Sequence, residues 1–357
     1  MPNRKPTAID LFSGAGGLTL GLKRAGFKVL VGVELHKEIA KTYKANHPDV
    51  KLLTKNVKYV SANKIFESAG RKEIDLVAGC PPCQGFSQLT AKWKKRDPRN
   101  RLVLEMGRIV CKIKPRMVMM ENVPGITTKG KSILGEFVTR LEKLGYIVTM
   151  DVLQMADYGV PQSRRRFVLL AGLGFEIPLP KPTHSSNGKT KPWVPISKVI
   201  RGLGKPVKLA YALKNGDPEK FNWHVVRNLK PISVERLRIT KEGQDRTALP
   251  KRLRPKCHKV ENEGFKNVYG RMRWNSVAPT ITSGCTTPCM GRFGHPTHLR
   301  TISVREAALL QSFPKNYKLR TKFIETACDL IGNALPCRFA KVVSRQCNKA
   351  LLSVKKS

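Results

Sequence analysis

Short apolar runs alternate with longer, charge-bearing stretches over the first half of the chain. The runs at residues 7–12, 28–33, 74–79, 116–120 and 167–171 are apolar at most positions, as strands buried on both faces are. Between several of them, residues 18–25, 37–46, 102–113 and 132–144 read as helices. This alternation predicts an α/β fold, a doubly wound and mostly parallel sheet. From residue 176 to residue 300 the period disappears, prolines and glycines are frequent, and 25 Lys and Arg stand against 8 Asp and Glu. A second, smaller and irregular domain is therefore expected over residues 180–315, with residues 1–179 and 316–357 forming the first. Helical spacing returns at residues 304–312 and 334–352.

The chain has 357 residues, 41% of them hydrophobic, enough to bury a sizeable core and to exclude wholesale disorder. No apolar run approaches the roughly 18–20 residues of a membrane span. The first dozen residues hold no signal core, so a cytoplasmic protein is expected. Nine scattered cysteines fit free thiols in a reducing compartment. Lys and Arg total 67 against 25 Asp and Glu, a net charge of +42. Such a field attracts polyanions, of which nucleic acids are the commonest in a cell. The competing reading is a basic surface that faces only solvent.

Phe12-Ser13-Gly14-Ala15-Gly16-Gly17-Leu18 puts a glycine-rich turn between a strand and a helix. Glycines there let the backbone approach a ligand, and a helix start offers unpaired N–H groups. Glu34 follows at the end of the next apolar run, where a carboxylate commonly accepts ribose hydroxyls. No Gly-Lys-Ser/Thr triplet follows Gly17, so a nucleoside cofactor without a phosphate cluster is expected. A tight turn with a surface Glu is the plainer alternative.

After the run at 74–79 comes Cys80-Pro81-Pro82-Cys83-Gln84-Gly85-Phe86-Ser87. Two prolines stiffen the backbone before Cys83, and a cationic field favours its nucleophilic thiolate. Glu121-Asn122-Val123, after another strand, could turn a carboxylate toward the same cleft as an acid. A Cys80–Cys83 redox pair and a zinc site shared with Cys285 and Cys289 are the alternatives.

These residues together resemble the cytosine-C5 DNA methyltransferase family, from about residue 7 to residue 345. The glycine loop resembles the family's first motif, Gly79 to Ser87 its nucleophile motif, and Glu121-Asn122-Val123 its acid motif. Gln162-Ser163-Arg164-Arg165-Arg166 is similar to its Gln-x-Arg-x-Arg. Arg305-Glu306-Ala307-Ala308-Leu309-Leu310-Gln311-Ser312-Phe313-Pro314 and Gly332-Asn333-Ala334-Leu335-Pro336 resemble its last two.

The resemblance implies a Rossmann-like fold, the cofactor S-adenosylmethionine and methylation of cytosine in duplex DNA. It implies that Phe12, Ser13, Gly14, Ala15, Gly16, Gly17 and Leu18 approach the cofactor and that Glu34 holds its ribose. Pro82, Leu102, Asn333 and Leu335 would line the pocket. Asn56-Val57 stands where the family has Asp before an apolar residue, with the Asn oxygen accepting from the adenine amino group. Cys83 would attack C6 of a flipped-out base, Glu121 would bond N3, and Arg164 and Arg166 would contact O2 and the acid–thiol cluster. The basic stretch at residues 92–101 looks like a mobile loop that closes on DNA, and the implied DNA contacts are Ser87, Lys94, Lys95, Arg96 and Arg99. In the irregular domain, which would choose the sequence, Lys251, Arg252 and Arg254 would grip phosphates. The simplest such protein is a monomeric bacterial enzyme of restriction–modification or orphan type, with a restriction endonuclease acting on the same site as possible partner. A relative acting on tRNA and a catalytically silent DNA-binding module are the other readings.

Overall fold

The computed structural model describes residues 4–82, 97–255 and 266–354. The chain divides into two compact units, one of Met1–Tyr158, Arg165–Pro182 and Leu335–Ser357, the other of Gly159–Arg164 and Thr183–Ala334. The return to the first unit thus falls at Leu335, where the sequence suggested residue 316. Among the described residues no helix is long and apolar enough to cross a membrane.

The first unit is built on seven strands: β1 (Thr7–Leu11), β2 (Lys28–Glu34), β3 (Lys51–Thr54), β4 (Leu76–Gly79), β5 (Met117–Asn122), β6 (Tyr146–Gln154) and β7 (Arg165–Leu173). Their order is β3-β2-β1-β4-β5-β7-β6. The pairs among β1 to β5 are parallel. Helices α1 (Gly17–Arg24), α2 (Lys37–Asn46), α3 (Ala62–Ser68), α4 (Leu102–Ile113) and α5 (Lys131–Glu142) lie between these strands in the chain. Every residue of β1, β4 and β5 is buried, which is why these segments read as mostly apolar runs.

The run at 167–171, read from sequence as a parallel strand, is antiparallel to both β5 and β6. The connection from β6 holds only a short 3₁₀ turn, Met155–Tyr158, and a parallel return needs a crossover of a dozen residues or more. β3 and β6 were not legible as strands. β3 has four residues with one buried, and the edge strand β6 is half-exposed along most of its length.

Among its described residues the second unit has four two-residue strands, β8 (His184–Ser185), β9 (Lys191–Pro192), β10 (Val207–Lys208) and β11 (Val225–Val226). Its helices are α6 (Ser197–Ile200), α7 (Leu209–Lys214), α8 (Asp217–Lys220), α9 (Pro231–Ile239), α10 (Val304–Leu310) and α11 (Ile324–Gly332). With so few ladders, buried side chains satisfy the backbone. Trp223 donates its indole N–H to the Leu319 carbonyl at 2.9 Å, and Arg305 donates to the carbonyls of Asn222 and Tyr317 at 2.8 and 2.9 Å. Ser303 and Glu306 form a capping box on α10, and Arg300 holds the same Glu306 through two bonds of 2.7 and 2.8 Å.

Helix α12 (Cys337–Val354) returns to the first unit and lies along α1. The two run in the same direction, since Gly21 faces Ala340 and the Ala25 carbonyl accepts from Asn348 Nδ2 at 2.8 Å. A Cβ on Gly21 would come within 2.7 Å of the backbone of Ala340 and Lys341. Gly21→Ala should therefore lower the unfolding free energy by about 1–3 kcal/mol, overpacking outweighing the ~1 kcal/mol gain in helix propensity. Gly135, exposed in α5, has nothing within 4 Å of that position. Gly135→Ala should gain up to ~1 kcal/mol. Urea unfolding of the two variants checks the pair, and equal signs would refute the packing argument.

Candidate active site

The C-terminal ends of the parallel strands stand in a row. Glu34 pairs with Thr54, Leu11 with both Val33 and Gly79, and Gly79 with Met120. Neighbouring strands lie about 4.8 Å apart, so the segments leaving β3, β2, β1, β4 and β5 emerge side by side. The chain winds outward from β1 to β3 and then restarts at β4, which opens a crevice beside β1 at the switch in winding.

β1 stops one residue sooner than the sequence suggested, because Phe12 turns left-handed with φ 61°. A bulky residue adopts that conformation only where its surroundings impose it, and Phe12 packs against the main core. Gly14 and Gly16 continue the turn at φ 53° and 88°. Ser13, Ala15 and Leu18 are buried. The Ser13 hydroxyl donates to the Asp10 carbonyl at 2.7 Å and accepts from the Val33 amide at 3.0 Å, stitching the loop to β2. Gly17 opens α1 with no side-chain cap and no acid in the first turn.

Glu34 is buried at the end of β2, and its carboxylate accepts from the amides of Gly14 and His36, each at 2.9 Å. Both oxygens are oriented by backbone and keep lone pairs for further donors. Asn56 caps a short 3₁₀ turn over a buried Val57, its Oδ1 accepting from the Lys58 amide at 3.1 Å. Leu102 opens α4 and packs on the main core, and Pro82 follows β4. Leu335 is buried in the first unit, whereas Asn333 caps α11 in the second.

Glu121 and Asn122 end β5. Asn122 donates its amide to the Pro81 carbonyl at 3.2 Å, which ties β5 to the segment that leads toward Cys83. Arg166, second in β7, brings Nε to 3.2 Å from Glu121 Oε1. Burial holds the Arg166 guanidinium below its usual range, opposed by the charges of Glu121 and Cys80.

Arg164 belongs elsewhere. It is buried in the second unit and donates to the carbonyls of Ile281 at 2.9 Å and Gly332 at 3.3 Å. Gln162 joins the same unit, accepting from the Ile281 amide and donating to Gln311, each at 2.8 Å. Of the two arginines expected at the acid and the base, Arg166 stands beside Glu121, and Arg164 donates to backbone of the second unit.

The expected phosphate contacts are partly tied down. Arg99 pairs with Asp97 at 2.7 Å and the exposed Arg252 with Glu235 at 3.1 Å. Arg254 is half-buried and donates to the Leu249 carbonyl at 2.8 Å, so it serves the second unit's own fold. Lys251 is exposed. Cys83, Ser87, Lys94, Lys95 and Arg96 lie outside the described residues.

One polar network under the glycine loop was not foreseen. Thr19 donates to Asp10 Oδ2 at 2.6 Å, and since it has one hydrogen, the Tyr43 hydroxyl at 2.7 Å donates to Thr19. His47 meets the Gly16 carbonyl through Nε2 at 3.2 Å. Burial pushes the His47 pKa down to about 4, so a neutral ring with a proton on Nε2 makes that contact. Asp10 lies wholly inside, its Oδ1 without a hydrogen-bond partner, and burial pushes its pKa up to about 7. The available signal was an acid inside an apolar strand, with Tyr43 in α2 and His47 four residues on at its C-terminal cap.

Residues 7–349 match the C-5 cytosine-specific DNA methylase family. The chain is 36% identical over 350 residues to Type II methylase M.HgiDII of Herpetosiphon aurantiacus, covering 96% of this chain and 95% of that one. It is 34% identical over 343 residues to Type II methyltransferase M1.HphI of Haemophilus parahaemolyticus, covering 95% and 85%. Among solved structures, the fold is similar to that of Schizosaccharomyces pombe Dnmt2, with a TM-score of 0.64 at 16% identity over 98% of this chain and 99% of that one.

The buried Asp10 gives a pH test. Below pH 3.8, the carboxyl's ordinary value, it is neutral in both the folded and unfolded chains. Between 3.8 and about 7 it ionises only when unfolded, so the folded chain loses about 1.4 kcal/mol per pH unit across that window. Asp10→Asn has no such loss. Its unfolding free energy should gain on the wild type from pH 4 to 7 and level off above, and parallel curves in denaturant titrations would exclude a raised Asp10.

Proposed function

This chain belongs to the C-5 cytosine-specific DNA methylase family and is a DNA cytosine methyltransferase, and from that premise we propose that it works through a covalent Cys83 adduct with S-adenosylmethionine as methyl donor. The observation that carries the reading is the Glu121–Arg166 pair at the end of β5, one strand from the segment that leads to Cys83.

The left-handed loop at Phe12, Gly14 and Gly16, with the Glu34 carboxylate fixed against it, fits a nucleoside that presents hydroxyls to an acid. Phe12 to Leu18, Glu34, Asn56, Val57, Pro82, Leu102, Asn333 and Leu335 are the residues we assign to that group. When bound, it supplies an electrophilic methyl for cytosine C5. The protein's own task is to make C5 nucleophilic. The Cys83 thiolate adds to C6, breaking the 5,6 double bond, while Glu121 in its acid form donates a hydrogen bond or its proton to N3, where the displaced electron density collects. Arg166 keeps the Glu121 carboxyl oriented toward that nitrogen. After C5 is methylated, loss of its proton restores the double bond and the C6–S bond breaks, returning the thiolate. A stacked base cannot reach a thiol at a strand end, so the cytosine is flipped out of the duplex.

The second unit, with its irregular backbone and Lys251 and Arg252 exposed, is our candidate for target choice. The names of the two relatives, both Type II enzymes, support a restriction endonuclease acting on the same site as partner.

Labelled methyl transfer from S-adenosylmethionine to duplex DNA, with tRNA as the comparison, tests the substrate. Cys83→Ala should retain cofactor and DNA binding with no turnover. It should also form no adduct with duplex containing 5-fluorocytosine, on which the wild type is trapped because fluorine cannot leave as a proton does. Normal turnover by Cys83→Ala would end this mechanism. Glu121→Gln should slow transfer by about 10²–10⁴ while cofactor affinity changes far less. Equal losses in both would make Glu121 a support of the fold.

A further inference from the structure

Helix α12 carries a row of cations that the reaction does not use. Arg338, Arg345 and Lys349 are exposed and Lys341 is half-buried, at spacings of three, four and four residues, which puts them on one face. The opposite face, Phe339, Ala340, Val343, Cys347 and Leu351, is buried. Arg24, exposed at the end of α1, adds a cation from the neighbouring helix. Neither helix contains an acid. Among the described residues, the ion pair on these helices is that of Lys23 with Asp49, and none is found for the cations of the row.

This row works against the helix that bears it. Like charges three and four residues apart repel, and Arg338 and Lys341 sit near the N-terminal end, where the helix dipole disfavours cations. Arg338 gains one hydrogen bond, its Nε donating to the Tyr158 carbonyl at 3.1 Å, but Lys341, Arg345 and Lys349 make no ion pair among the described residues, and such local conflicts mark functional surface. From Arg338 to Lys349 the row spans about 16 Å, at 1.5 Å per residue. One strand of duplex DNA carries a phosphate for about every 3.4 Å of its axis, so a duplex lying along a row of this length presents several phosphates to it. An anionic membrane is disfavoured because the apolar face that would insert is packed into the first unit.

We propose that the α12 face binds the phosphate backbone of duplex DNA irrespective of sequence, as a surface separate from the cleft where cytosine is methylated. The identity of the partner rests on the reading of the substrate as duplex DNA. The surface itself does not depend on the Cys83 mechanism.

The test is the full-length triple variant Lys341→Gln, Arg345→Gln, Lys349→Gln. Binding of a labelled duplex of random sequence is followed by anisotropy between 50 and 300 mM salt. Each lost phosphate contact should flatten the slope of log K against log salt by about 0.9, so the variant should lie some two to three units shallower. Binding of S-adenosylhomocysteine, thermal unfolding, and the rate of methyl transfer at saturating DNA should match the wild type. The variant Lys341→Arg, Lys349→Arg should keep the wild-type slope. An unchanged slope in the folded triple variant overturns the proposal. So does a loss confined to single-stranded RNA or to phosphatidylserine vesicles, probed in parallel, with duplex binding intact. If the wild type fails to methylate DNA yet the slope flattens, the function reading falls and this surface stands.

Discussion

The hydrogen bond from the Gly14 amide to the Glu34 carboxylate is the contact on which the cleft depends. It joins a loop that must leave β1 at once to the strand beside it. β1 lies inside the sheet and is buried along its whole length, so its backbone has no room to drift toward a ligand gradually. The chain instead turns sharply at Phe12, in a conformation that costs energy for a residue with a Cβ, and the surrounding bonds hold it there. Ser13 reaches Val33, Gly14 reaches Glu34, and Gly16 is held from below by His47. The same bonds orient the acid and shape the loop. A change at any of them would alter both.

The reversal of β7 makes a second arrangement possible. Its first residues come alongside the last residues of β5, with Asn122 opposite Phe167 and Glu121 opposite Val168. Had β7 run parallel, its opening residues would lie at the other end of the sheet, far from the acid. The antiparallel hairpin thus delivers Arg166 to Glu121. Two residues earlier, Arg164 lies in the other unit and binds its backbone. One short motif therefore serves the acid with its last arginine and the second unit's fold with its first residues.

Much of this was legible because burial on both faces leaves an unmistakable apolar run, as in β1, β4 and β5. Strand direction was not, since an apolar run reads the same for either orientation. Direction is set by the length of the connection, and the decisive feature was the absence of a helix between β6 and β7. β3 and β6 escaped notice because an edge strand needs little apolar sequence. Glu34 and Glu121 were singled out from their positions after apolar runs, and both are buried at strand ends. The roles of Asp10, Thr19 and Tyr43 depend on side chains from three elements meeting, and no spacing in the sequence encodes that. For Arg164 and Arg254 a motif and a basic cluster suggested ligand contacts, and the bonds each makes to backbone carbonyls could not be read from either.

Charge has to be judged by the same standard. Twenty-five acids cannot neutralise 67 cations, so most of the positive charge has no acidic partner anywhere in the chain. Yet the segments that looked most like DNA grips are where acids are used locally, Asp97 on Arg99 and Glu235 on Arg252. A cation already paired gains less from a phosphate, because it must give up its partner first. The surfaces that draw DNA most strongly are then those where cations stand without acids, and a basic cluster in sequence is a poor guide to them. On α12 the cations repel one another in the free protein, and a row of phosphates is the kind of partner that relieves this repulsion.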